Sequence, residues 1–178
     1  MRYKASTLRI IEKLKELYPE GLCSLQYEKD YELLFAVRLS AQCTDARVNL
    51  VTPALFTRFP TLEAFAAADP REVGEYIHSC GFYNGKARDI VACAQKLVNE
   101  YGGRVPGTME ELTGLPGVGR KTANLILGDV FGQPAYVCDT HCIRITGRLG
   151  ITDGSKDPLK VEQQLRKVIP PEESNNFC

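Results

Sequence analysis

The residues able to do chemistry gather between Leu115 and His141, in the stretch LPGVGRKTANLILGDVFGQPAYVCDTH. Leu115-Pro116-Gly117-Val118-Gly119 reads as a tight hairpin, because proline fixes one φ and the glycines admit conformations that a side chain would forbid. Arg120 and Lys121 follow at once. Ala123, Leu125, Ile126 and Leu127 show no strand-like alternation, so the next segment is predicted to be a helix starting on the hairpin. Its unpaired N–H groups, the positive end of its dipole and a cation would face outward together, which suits an anion such as a phosphate. Asp139 comes a short loop later, just before another helical segment, where it can cap that helix, exchange a proton with Lys121, or do both. The two could meet over whatever the hairpin holds, although a lysine in a first helical turn is more often a solvated side chain or a phosphate contact, and to act as a nucleophile it would have to lose its proton. An unperturbed lysine is neutral in fewer than about one molecule in a thousand at pH 7, so the site must disfavour the charged amine. The helix N-terminus and partial burial of Lys121 are expected to push that way.

Around this stretch almost every segment has helical period, and the fold class is all-α without repeats or low-complexity tracts. Ser6 or Thr7 is read as the cap of a first helix reaching about Tyr18, with Leu8, Ile11, Leu14 and Leu17 on one stripe and Pro19-Glu20-Gly21 as its stop. Asp30 is read as the cap of a second helix, which runs into the polar break Ser40-Ala41-Gln42-Cys43-Thr44-Asp45. Helical character resumes from Asp45 to Phe56, with Pro53 expected to kink or end it early. Asp69-Pro70-Arg71-Glu72 is a strong start signal. Cys80 to Lys86 reads as a loop opening a helix to about Asn99, and Thr108-Met109-Glu110-Glu111 as a capping box for a short helix that forms the first arm of the hairpin. Asp157-Pro158 starts what is read as the last helix, ending near Val168.

A chain of 178 residues can form one domain or two small lobes around a real core, and 44% hydrophobic with 25% charged residues is ordinary globular composition. No run of eighteen apolar residues suggests a membrane span, and MRYKASTLRI lacks the apolar core of a signal peptide, so a cytoplasmic location is expected. Net charge is zero, which argues against a strong global field for nucleic acid. Residues 82 to 148 hold eight Lys and Arg against six Asp and Glu, so any basic face is local. Seven cysteines, at 23, 43, 80, 93, 138, 142 and 178, are an odd number with no C-x-x-C, which fits reduced thiols better than a disulfide framework. Cys138, His141 and Cys142 bring only three close ligands, and zinc is not expected there.

Four separated motifs, LSAQCTD, GFYNGKA, LPGVGRKTAN and VCDTH, stand in an order and spacing that resemble the endonuclease III family of the helix-hairpin-helix-GPD superfamily of DNA glycosylases. The resemblance runs from about residue 7 to Phe177-Cys178. It implies a six-helix lobe at about 22–134 carrying the helix-hairpin-helix motif, a second helical lobe from 1–21 plus 135–178, and DNA lying across the cleft between them. The implied function is base excision repair by a bifunctional DNA N-glycosylase and abasic-site lyase acting on oxidised pyrimidines such as thymine glycol. Lys121 then matches the nucleophile that attacks C1′ of the deoxyribose, and Asp139 the carboxylate that takes its proton and stabilises charge on the sugar.

The same resemblance assigns Gln42 to the void left by a flipped base and Phe82, in place of the family's leucine, to a wedge against the opposite strand. Read without the family, Gln42 could simply cap a helix end and Phe82 could be a core aromatic. Leu115, Gly117, Val118, Gly119, Arg120 and His141 are expected to contact DNA, with Ser40 and Asp45 in the lesion pocket. For His141 a local structural hydrogen bond is an equal alternative. The carbonyls of Thr113, Leu115 and Val118 could hold Na+ or K+ between hairpin and phosphate. The adenine-excising branch usually has a non-nucleophilic residue at position 121 and a glutamate near Arg38; this chain has lysine and lacks that glutamate. Family members typically continue past Asn-Phe-Cys into another helix and four close cysteines that bind a 4Fe-4S cluster, and none of the seven cysteines here has that spacing. The expectation is therefore a monomer on duplex DNA, nucleoid-associated in a prokaryote, with no cluster and an exposed apolar face beside Cys178. The alternative is a DNA-binding remnant without turnover.

Overall fold

The computed structural model describes residues 5–19 and 23–177, and every regular element among them is helical. The chain divides into two compact units, one of Ser24–Ile126 and one of the described residues of Met1–Cys23 with Leu127–Cys178. The division falls inside one helix, whereas the sequence reading placed it at 134–135.

The first unit contains α2 (Asp30–Ser40), α3 (Asp45–Arg58), α4 (Leu62–Ala66), α5 (Pro70–Ile77), α6 (Tyr83–Tyr101), α7 (Met109–Thr113) and the beginning of α8 (Arg120–Asp129). α6 is the longest, and α2, α4 and α5 all pack on it. Its buried positions, Lys86, Ala87, Ile90, Val91, Cys93, Ala94 and Leu97, recur at three- and four-residue intervals, the stripe an amphipathic helix turns to a core. A lysine is the one charged member of that stripe. Phe65 sits at the centre of an aromatic cluster, with ring centroids 5.0 Å from Phe35 and 5.1 Å from Phe59 in tilted or edge-on geometry.

Helix starts follow local chemistry. Thr44, Thr61, Asp69 and Thr108 each accept a backbone N–H from the first turn of the helix that follows. Two sequence expectations are corrected here. Asp30 is the first helical residue of α2 rather than its cap, which is Lys29; the buried Glu32 carboxylate accepts the N–H groups of Glu28 at 2.9 Å and Lys29 at 3.2 Å. Pro53 does not end α3, which continues to Arg58. Proline removes one donor, and the neighbouring turns and the buried Val48, Thr52 and Leu55 hold the helix through it. Helix α6 also starts earlier than expected, taking in Tyr83 to Lys86.

The second unit contains α1 (Ala5–Leu17), the end of α8, α9 (Thr140–Arg148), α10 (Pro158–Val168) and α11 (Ser174–Phe177), so Pro158–Val168 is not the last helix. Its core is Ile11, Tyr136, Cys138, Val161, Leu165 and Ile169. Tyr136 donates its hydroxyl to the Ile169 carbonyl at 3.1 Å, and the Arg166 guanidinium lies 4.8 Å from its ring centroid. Asn175 accepts the Ala135 N–H at 2.9 Å and packs against Gly128, where a Cβ would lie 3.1 Å from its side chain. In α1, Ser6 and Thr7 lie inside the helix rather than capping it, and Thr7 and Ile11 are its buried residues. Of the expected stripe Ile11 is buried and Leu14 half-buried, whereas Leu8 and Leu17 at its two ends are exposed and Thr7 takes the inward position one residue before Leu8. The expected stop at Glu20-Gly21, the lobe boundary at 22 and the terminal Cys178 lie outside the described residues.

Candidate nucleic-acid interface

The hairpin is anchored at two apolar points. Leu115 is buried and Val118 nearly so, and the Val118 N–H donates to the Leu115 carbonyl at 3.2 Å to close the turn. That carbonyl is one of the three expected to hold a monovalent cation, and a single long hydrogen bond leaves it a second lone pair. Before the turn, Thr113 ends α7. Gly117 has φ +74°, and a Cβ on it would lie 2.9 Å from both Arg38 Nε and Asp89 Cβ. Arg38 and Asp89 are themselves paired, with Nε to Oδ2 at 2.8 Å and a second guanidinium nitrogen at 2.6 Å. The turn therefore rests on a two-point ion pair with no room for a side chain. Gly119 differs, since a Cβ there would meet nothing within 4 Å. Its carbonyl accepts the Ala123 N–H at 2.9 Å and begins α8, so the exposed Gly119, Arg120 and Lys121 form an accessible helix start. Lys121 is exposed, which corrects the expected partial burial.

Two further segments of this unit carry left-handed residues. Gln42 at φ +56° and Phe82 at φ +48° are the only non-glycine residues with positive φ among the described residues. Ala41 at φ −59°, ψ 111° and the Cys43 N–H to Ser40 carbonyl bond at 3.0 Å make residues 40–43 a type II turn with Gln42 at the position that normally needs glycine. Phe82 follows Gly81, whose φ +69°, ψ 156° is open essentially to glycine alone. Both side chains are exposed, Phe82 at 74%, so it is no core aromatic. Backbone strain of this kind persists where the surrounding structure enforces it, and it collects at sites of function.

The two expected pocket residues are tied locally. The Ser40 hydroxyl donates to the Val37 carbonyl at 2.9 Å, and Asp45, at the start of α3, accepts from the Ser24 hydroxyl. Lys86 was not singled out by the sequence reading. It is 1% exposed, and its ammonium donates to the carbonyls of Leu39 at 2.8 Å and Cys80 at 2.9 Å. Burial pushes its pKa down, offset in part by the Cys43 and Cys80 thiols. Burial, followed by the neighbouring Cys43, also pushes the Cys80 thiol up to about 11. The available signal was a lysine in an apolar register of α6.

In the other unit, Asp139 is the N-cap of α9, accepting the Cys142 N–H on Oδ1 at 2.7 Å, and is half-buried. A carboxylate capping with one oxygen keeps the other for chemistry. His141 is exposed, with Nδ1 3.1 Å from an Arg144 guanidinium nitrogen, so the local hydrogen bond expected as its alternative role is present. Ser40, Gln42, Asp45, Phe82, the hairpin and Lys121 thus belong to one unit, and Asp139 and His141 to the other. No group of three His, Cys, Asp or Glu side chains converges on a metal position among the described residues, so the described cysteines do not fit a 4Fe-4S cluster.

Residues 35–171 match the family model described as HhH-GPD superfamily base excision DNA repair protein. The chain is 49% identical over 175 residues to endonuclease III of Synechocystis sp., covering 98% of this chain and 80% of that one. It is 41% identical over 163 residues to endonuclease III of Bacillus subtilis, covering 92% and 74%. Among solved structures, a trapped endonuclease III–DNA covalent intermediate superposes with TM-score 0.93 at 41% identity, covering 99% of this chain and 83% of that one. A thermostable thymine-DNA glycosylase superposes at 0.85 with 19% identity, covering 97% and 82%, and supports the fold alone.

Proposed function

The chain belongs to the endonuclease III family of the HhH-GPD superfamily of base excision DNA repair proteins, and from that membership we propose a bifunctional DNA N-glycosylase and abasic-site lyase that removes oxidised pyrimidines. The observation that carries this reading is Lys121 itself: an exposed amine in the first turn of α8, directly after a hairpin whose Gly119 leaves open space for a phosphate.

In this reading the hairpin and the N-terminus of α8 hold the DNA backbone through N–H groups and Arg120, with Na+ or K+ on the carbonyls of Thr113, Leu115 and Val118 as a further contact. Gln42 fills the space left by the flipped nucleotide, Phe82 parts the opposite strand, and Ser40, Asp45 and His141 flank the path of the extruded base and its phosphate. DNA closes over Lys121 and removes water from it, supplying the burial that the free chain lacks. The neutral amine attacks C1′ and the bond from C1′ to the base breaks, the electron pair leaving with the base, which takes a proton from water. Asp139 accepts the proton that the amine sheds and faces the positive charge on the sugar. Ring opening gives a Schiff base, loss of a C2′ proton expels the 3′ phosphate, and water then releases Lys121. Relatives in the family usually carry a 4Fe-4S cluster, whereas the steps above use this chain's own residues. Duplex DNA as partner, a monomeric state and a nucleoid-associated cytoplasmic location belong to the same reading.

Borohydride trapping on duplex DNA with thymine glycol or an abasic site tests it. A covalent protein–DNA band that disappears in Lys121→Gln is expected, because only a Schiff base is fixed by reduction. A folded, DNA-binding preparation that gives no band would refute it.

A further inference from the structure

Helix α2 and the 3-10 turn His78–Cys80 each end in a strained turn, one presenting Gln42 and the other Phe82. A helix end leaves its last carbonyls without intrahelical partners. Here a single ammonium serves both ends, since Lys86 Nζ donates to Leu39, three residues before Gln42, and to Cys80, two residues before Phe82. Lys86 itself lies in the first turn of α6, on the buried face that packs against α2. A charge this deeply buried is costly unless hydrogen-bonded, and an apolar residue would suit the stripe better for stability alone.

We propose that Lys86 is a positioning residue whose ammonium cross-links the ends of the Gln42 and Phe82 segments and so sets the separation of the two side chains that enter DNA. The proposal rests on the DNA-invading roles given above to Gln42 and Phe82. It explains why these two residues can stay left-handed: charge-assisted bonds to Leu39 and Cys80 fix both turns at their bases, while the side chains beyond them remain in solvent. The Gly81 conformation then aims Phe82 outward from a fixed point.

The test compares Lys86→Met, which keeps length and apolar packing but removes the donors, with wild type on two substrates. Thymine glycol in duplex DNA requires flipping and void filling. An abasic site in a single-stranded oligonucleotide needs the amine but has no opposite strand to part. A misplacement of about 1 Å can cost on the order of 100-fold, so duplex base release by Lys86→Met is expected to fall by that order while single-strand cleavage changes by no more than a few fold. At saturating protein, 2-aminopurine placed opposite the lesion should brighten less with the variant, reporting a void incompletely filled. If Lys86→Met does not fold, Lys86→Arg carries the same comparison, because its longer planar head spreads the two carbonyls and should give a smaller loss confined to the duplex. Equal losses on both substrates, or an unchanged duplex rate, would overturn the proposal. A wild-type protein that fails to trap would instead overturn the lyase reading.

Discussion

Gly117 and Gly119 lie two residues apart in one hairpin, yet a methyl group on each should do opposite things. At Gly117 an alanine would have to adopt φ +74°, a left-handed conformation that costs roughly 1–2 kcal/mol. Its Cβ would also enter 2.9 Å from Asp89 Cβ and Arg38 Nε, and forcing an extra carbon into such a contact costs about 1–3 kcal/mol. Because the Arg38–Asp89 pair is partly exposed and can shift, the lower half of the sum applies, about 2–3 kcal/mol, or a Tm lower by roughly 4–12 °C for a chain of this size. At Gly119 nothing lies within 4 Å, so Gly119→Ala should change stability by less than about 0.5 kcal/mol. If a phosphate approaches that open position, the methyl group stands in its way, and a cost near 1.4 kcal/mol would weaken DNA binding about tenfold. Differential scanning fluorimetry and fluorescence anisotropy on a duplex with a stable abasic analogue, at one fixed salt concentration, measure both quantities. Gly119→Ala losing as much stability as Gly117→Ala, or Gly117→Ala keeping the wild-type Tm, would refute the reasoning.

Two other perturbations follow from the same geometry. Gln42→Gly and Phe82→Gly each place glycine where the backbone is left-handed, so stability should stay level or rise by up to about 1 kcal/mol while excision from duplex DNA falls; a clear loss of Tm in either would mean that the side chain packs within the protein. The depressed pKa of the buried Lys86 means that, between its folded value and 10.5, the unfolded chain binds a proton the native protein has lost. Stability relative to Lys86→Met should therefore rise with pH on the alkaline approach to 10.5 in urea titrations, and a fall there would show that the charged form is the favoured one.

Local structure at the candidate site was legible where residue type alone dictates geometry. Pro116, Gly117 and Gly119 announce a turn, Thr108 and Asp69 announce helix starts, and Asp139 before Thr140 does the same. What stayed hidden depends on partners distant in sequence. Lys86 meets a carbonyl 47 residues away, and no local pattern reveals that a lysine in an apolar stripe is satisfied there. Whether Phe82 is buried or exposed could not be read from its type, because its exposure follows from the two positive-φ residues at 81 and 82. Of the two effects expected of Pro53 the early end does not occur, because a local helix breaker is overridden when the helix around it buries Val48, Thr52 and Leu55. Ser6 and Thr7 are good caps by type, but the helix already includes them.

The core of the second unit sets an order on biosynthesis. Ile11 packs with Val161, Leu165 and Ile169, which emerge from the ribosome about 150 residues after it. At the usual pace of about 5–20 residues per second, helix α1 waits roughly 8–30 s for its partners, while residues 24–126 emerge complete in the interval. Through that wait Ile11 lacks Val161, Leu165 and Ile169, so this unit closes its core only after the chain between them has been made.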